Sequence, residues 1–186
     1  MLRARTGEME ARRLLKKLGV NEAPVAVEEI ARRSGIVVRR KPFEGEISGV
    51  LYRSGDVPVI GVNALDALVR QRFTIAHEIG HFLLHEEPWH VDRHYLEVVP
   101  VKSSVSPSRR FNRDKVSSQA TDRHEIEANG FAAALLMPKE FLDQDLKGLK
   151  LPLKARQIDG LAKRYKVSQQ AMIFRLMNLG VQMEKG

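Results

Sequence analysis

The chain contains no cysteine, which excludes both a disulfide framework and any zinc site built on thiolates. No apolar run approaches the roughly 20 residues that a membrane-crossing helix needs. The charged opening Met1-Leu2-Arg3-Ala4-Arg5-Thr6-Gly7-Glu8 is not followed by the apolar core of a secretory leader. No internal repeat is present. These absences predict a soluble globular protein with a cytoplasmic address and no membrane partner. With 186 residues, 43% of them hydrophobic and 29% charged, the chain can build one substantial domain with a small appendage. Lys and Arg number 31 against 23 Asp and Glu, a net charge of +8, which favours polyanions or acidic protein surfaces as partners. The basic residues lie mostly in dispersed pairs such as Arg12-Arg13, Lys16-Lys17, Arg32-Arg33 and Arg109-Arg110, a distribution that also suits a solvated surface.

The most informative feature present is the run His77-Glu78-Ile79-Gly80-His81 inside an apolar helical pattern. Helical residues four apart stand nearly one above the other, so the two imidazoles share a face and can hold one metal ion. Glu78, beside the first of them, is placed to take a proton from a water activated there. The segment from Ala64 to Ala76 has no Pro or Gly to break a helix, and Phe73, Ile75, Ala76, Ile79, Phe82 and Leu83 form a broad apolar surface. Polar groups on such a buried helix are costly unless something satisfies them, and a bound cation would. Ordinary hydrogen-bonded core histidines would not account for the three residues together.

Around this run the pattern predicts a helix over 8–19 and a second apolar face at Val27, Ile30 and Ala31. A short strand follows at 36–38, closed by Arg39-Arg40-Lys41-Pro42, and then paired strands over 47–52 and 57–62. Asn63 is placed to cap the motif helix. A small sheet beside a metal-binding helix suits a metallopeptidase, where an edge strand holds an extended peptide. Residues 86–122, rich in Ser, Pro and basic residues, read as a long loop, a lid or a disordered segment, with a short strand at 95–99. Helices are expected at 124–137, ended by Pro138, and at 139–147, 155–165 and 168–179.

A catalytic zinc usually takes a third protein ligand. Position 84 is Leu and position 87 is Glu, so the short Gly-and-His extension of the metzincins is absent, and the third ligand must come from another helix. The alanine-rich segment after His124 carries two carboxylates. Glu127, with Phe131 four residues along its face, is the first choice, Glu125 the second and His124 the third. Both glutamates would also suit a helix N-terminus. His85 reads as a C-terminal cap of the motif helix rather than as a ligand. His90 and His94 fall in the loop, and Tyr52 and Tyr95 are candidate oxyanion donors.

The stretch from Gln71 to His85, the run Glu127-Ala128-Asn129-Gly130-Phe131-Ala132 through Met137-Pro138, the strand pair ending at Asn63, and Leu161–Ser168 with Arg175-Leu176 together resemble the ImmA/IrrE family of metallopeptidases. The resemblance covers most of residues 24–180. It implies an α+β fold with a zincin-like metallopeptidase core, a small mixed sheet packed on the helical HExxH core, followed by a C-terminal helical, helix-turn-helix-like segment. The expected organisation is an N-terminal helix over 1–23, the core over 24–150, and the C-terminal helical segment over 151–186 packed on that core. With about 23 residues ahead of the core, the extra DNA-binding domain that many relatives carry is not expected. The resemblance further implies His77, His81 and Glu127 as ligands of Zn²⁺, with Mn²⁺ or Fe²⁺ as alternatives, and Glu78 as general base. The implied activity is cleavage of a helix-turn-helix repressor, which derepresses a mobile element, prophage or stress response.

The competing expectation is a non-catalytic repressor- or DNA-binding module on the same scaffold. Leu161–Leu176 has helix-turn-helix spacing and Val167-Ser168 would open its recognition helix. Gln169 and Gln170 are polar there, but Ala171-Met172-Ile173-Phe174 is apolar nearly all round. Base-reading helices expose polar side chains near their start, so burial or protein docking fits that helix better than sequence-specific DNA contact.

Overall fold

The β-branched runs and the 3.6-residue apolar period build a layered α+β structure. The computed structural model describes residues 2–44, 47–53, 57–86, 89–93 and 115–184. Four strands, β1 (Val37–Lys41), β2 (Ile47–Tyr52), β3 (Val59–Asn63) and β4 (Trp89–Arg93), form one sheet in the order β1-β3-β2-β4. β1 runs parallel to β3, whereas β2 is antiparallel to both β3 and β4, making the sheet mixed. Leu51, Ile60 and Val62 are buried while Tyr52 is half exposed, the alternation expected of a sheet with one covered face.

The cover is α3 (Leu68–Leu84), packed on β2 and β3. The most extensive helix contacts are those of α4 (Lys115–Leu136) with α3 on one side and with α1 (Leu2–Lys17) on the other. α3 and α4 approach closely at Gly80, where an added Cβ would lie 3.2 Å from Ala128 Cα and 3.1 Å from a Phe131 ring carbon. α1 reaches α4 in the same way, since a side chain at Gly7 would overlap the Glu127 carbonyl oxygen. Ile75, Ile79, Phe131 and Leu135 fill the space between these layers and are fully buried. Each contributes about 1.5–3 kcal/mol relative to an exposed position. α2 (Val27–Arg33) buries Val27, Ile30 and Ala31, as their spacing predicts.

Pro138 ends α4 and stands as the N-cap of α5 (Lys139–Asp145), because proline has no N–H to continue a helix but suits its start. α6 (Ala155–Tyr165) and α7 (Gln169–Asn178) are joined through Lys166, which adopts a left-handed conformation at φ 53°. Ser168 caps α7 by accepting a hydrogen bond from the Ala171 N–H at 3.1 Å.

Five elements differ markedly from the sequence expectation. α1 begins at Leu2, ahead of the expected start. β1 continues through Arg39, Arg40 and Lys41, because parallel pairing with β3 holds the backbone to Lys41. α3 starts only at Leu68, and Asn63 does not cap it. The Asn63 amide instead accepts from the N–H groups of Phe43 and Leu65 and donates to the Ile47 carbonyl, tying three loop segments together. Within the stretch read as a loop over 86–122, β4 occupies Trp89–Arg93 and α4 begins at Lys115; the strand expected at 95–99 lies outside the described residues. No helix among the described residues is long and apolar enough to cross a membrane.

Candidate metal centre

α3 is anchored at both ends. Near its start the Gln71 amide donates to the Asp66 carbonyl at 2.8 Å and accepts from Arg40 Nε at 3.0 Å, while Arg72 donates to the Val25 and Lys166 carbonyls. At its end Arg53 Nη2 donates to the His81 carbonyl at 2.6 Å, with its guanidinium 4.9 Å from the centre of the Phe82 ring. A cation at the negative end of a helix is favourable. Between these anchors His77, Glu78 and His81 are all buried.

The two imidazoles converge as their spacing requires, with Nε2 atoms 3.0 Å apart. Glu125 on α4 meets both, Oε2 lying 3.3 Å from His77 Nε2 and Oε1 3.4 Å from His81 Nε2. The ligand atoms of His77, His81 and Glu125 all lie within 4.8 Å of one another. The opposite ring nitrogens are also engaged: His77 Nδ1 is 3.0 Å from Asn129 Oδ1, and His81 Nδ1 is 3.1 Å from His85 Nδ1. An Nδ1–H donated to Asn129 leaves the His77 Nε2 lone pair facing His81 and Glu125. Two buried imidazole nitrogens and a partly exposed carboxylate form the donor set of a divalent-ion site, and the residues fit such an ion.

Glu78 faces the sheet. Gly49 of β2 lies against it, where an added Cβ would stand 3.3 Å from Glu78 Oε1 and would overlap Thr74 Cγ2. The absence of a side chain at Gly49 lets the strand pass this close to the carboxylate.

The structure thus brings together His77 and His81, with Glu78 next in the chain on the same buried stretch. It does not bring Glu127 to the pair. Glu127 Oε2 lies 3.2 Å from His85 Nε2, and Glu125 takes the position next to His77 and His81. His85 occupies the C-cap position, with its N–H bonded to the His81 carbonyl, but its ring is buried against His81 and Glu127 rather than capping the helix end. His124 stacks on that ring at 4.0 Å. Tyr52 is half exposed on β2, His90 belongs to β4, and His94 and Tyr95 lie outside the described residues. Sequence reasoning missed Asn129 and Gly49. Asn129 was detectable, since it follows Glu125 by four residues and shares its helical face.

Residues 31–177 match the model of the IrrE N-terminal-like domain, a peptidase family. Among solved structures the chain is similar to a Mycobacterium tuberculosis transcriptional regulator, with 21% sequence identity and a TM-score of 0.56. That likeness, which at this identity concerns the fold alone, covers 91% of this chain and 46% of the other, so the chain spans about half the length of its structural relative. No curated protein matches it significantly.

Proposed function

Since the chain belongs to the family of IrrE N-terminal-like peptidase domains, we propose that it is a zinc-dependent endopeptidase that cleaves a helix-turn-helix transcriptional repressor and so derepresses a mobile element, prophage or stress response. The observation that carries the chemistry is the convergence of His77 Nε2, His81 Nε2 and the Glu125 carboxylate, whose ligand atoms lie within 4.8 Å of one another. On this reading those three residues hold the ion, with Glu125 in the place the sequence assigned first to Glu127. The zincin-like core spans 24–150, with the helix of 1–23 and the helical segment of 151–186 packed on it. Bound there, a divalent cation would supply the Lewis acidity that activates a water and a carbonyl.

The protein's own contribution follows from the geometry. Asn129 and His85 engage the Nδ1 atoms of the two histidines, directing both Nε2 atoms toward Glu125. Glu78, on the buried face and next in the chain to His77, acts as general base, accepting a proton from the attacking water and returning it to the leaving amine. Gly49 keeps β2 against Glu78 without a side chain between them.

The regulatory part of the reading rests on the family and on a structural relative named as a transcriptional regulator. Phe174 and Met177, both more than half exposed on α7, suit docking of a protein better than reading of DNA bases. The test is to load the purified chain with zinc, incubate it with helix-turn-helix repressors and read new N-termini by mass spectrometry. New termini that vanish in Glu78→Gln support the reading. Absence of bound metal after zinc loading would overturn it in favour of a non-catalytic regulatory module.

A further inference from the structure

We propose that Glu127 and His85 are positioning residues that fix the tautomer of His81 and thereby aim its Nε2 lone pair at the metal position; this rests on the ligand set proposed above. The three groups form a continuous line. Glu127 Oε2 lies 3.2 Å from His85 Nε2, and His85 Nδ1 lies 3.1 Å from His81 Nδ1. His81 Nε2 then faces His77 and Glu125.

The carboxylate sets the direction of that line. An ionised carboxylate only accepts hydrogen bonds, so His85 must present Nε2–H to it. A neutral His85 with its proton on Nε2 carries a lone pair on Nδ1, which accepts from His81 Nδ1–H. His81 with its proton on Nδ1 has a free lone pair on Nε2, the form a metal requires. The reverse direction would set the His85 Nε2 lone pair against the carboxylate and place the His81 proton on Nε2, where it would block an ion. The rings are buried, and His124 stacks on His85 with planes 21° apart, which limits rotation of the middle ring. The other ligand histidine has a neutral partner, Asn129, so the two histidines are oriented by different means. Loss of such an outer partner typically weakens metal binding about 10–100-fold.

The experiment measures zinc affinity of the full chain by competition with a chelator, and the visible spectrum of the Co²⁺-substituted protein. It compares wild type, Glu125→Gln, Glu127→Gln, His85→Phe and the double variant Glu127→Gln with His85→Phe. The expected result is one zinc per chain in Glu127→Gln, with affinity reduced about tenfold or more, a changed Co²⁺ spectrum and an unaltered thermal midpoint of the metal-free protein. The double variant should be no weaker than the worse single variant, because both changes interrupt one line. Effects that add would overturn the relay, as would unchanged affinity in Glu127→Gln. If Glu125→Gln loses its metal while Glu127→Gln binds as wild type, the relay fails and the ligand assignment stands. If Glu127→Gln loses the metal and Glu125→Gln keeps it, Glu127 is itself a ligand and both readings fall. Should His85→Phe not fold, the near-isosteric Glu127→Gln decides the matter alone.

Discussion

Two helix pairs bury polar groups in opposite ways. In α6 and α7 each buried polar side chain ends on a partner that satisfies it. Arg175 donates to the Met137 carbonyl at 3.0 Å and to Glu8 at 2.7 Å, and the Tyr165 hydroxyl donates to Asp145 at 2.8 Å. Burial, together with that hydrogen bond, pushes the Tyr165 phenol above its usual range and keeps it neutral. Between α3 and α4 the buried His77 and His81 instead gather around one point, with two ring nitrogens 3.0 Å apart facing the partly exposed Glu125 carboxylate. The first arrangement is complete in itself and serves the fold. The second brings two imidazole nitrogens and a carboxylate to one point, a donor set that could hold a divalent cation.

The sharpest way to break this contrast is at Glu78. Glu78→Gln should lower repressor cleavage by about 10²–10⁴-fold while the protein still binds one metal, as measured by cleavage rate beside metal analysis. A variant that cuts at the wild-type rate would remove Glu78 from the chemistry. Next in size, Gly49→Ala drives a methyl group into Thr74 beside Glu78 and should cost roughly 1–3 kcal/mol of stability, read by urea unfolding, with cleavage falling too. The opposite pair should respond differently. Arg175→Met removes the donor to Met137 and Glu8 and should cost about 1–3 kcal/mol while zinc affinity stays unchanged; a loss of affinity would show that the two pairs are not independent. The smallest effect is a gain. Gly160 lies within α6 with no heavy atom in reach of an added Cβ, so Gly160→Ala should stabilise the chain by about 0.5–1 kcal/mol, visible as a raised thermal midpoint.

The motif helix was legible because its information is local: His77 and His81 are four apart, and that spacing alone places them together. Which carboxylate of α4 meets the two imidazoles was less so. Glu125 and Glu127 are two residues apart and therefore point to different sides of α4, and choosing between them needs the face that meets α3. The apolar partner Phe131 pointed to Glu127. The face that carries Glu125 also holds Ala128 and Ala132, three and seven residues on, and Gly80 of α3 packs against both Ala128 and Phe131. The sheet was legible as a hairpin, from the alternation in 47–52 and the run before Asn63. Its parallel strand was legible only in part, since the charges of Arg39-Arg40-Lys41 masked an extended backbone held by pairing with β3. β4 carried no alternation strong enough to stand out from the Pro- and Ser-containing stretch around it.

The close seat of Gly7 against the Glu127 carbonyl has a consequence for how the protein opens. α1 precedes the residues matched by the family model, which begins at position 31, yet it lies on the turn of α4 that carries Glu127, and Glu8 joins it through Arg175 to the Met137 carbonyl just beyond the end of α4. Neither helix can detach without exposing the other's buried backbone. Their amide protons should therefore exchange with solvent as one cooperative unit, and loosening the first helix should slow the reassembly of the His77, His81 and Glu125 cluster, which is built on α3 and α4.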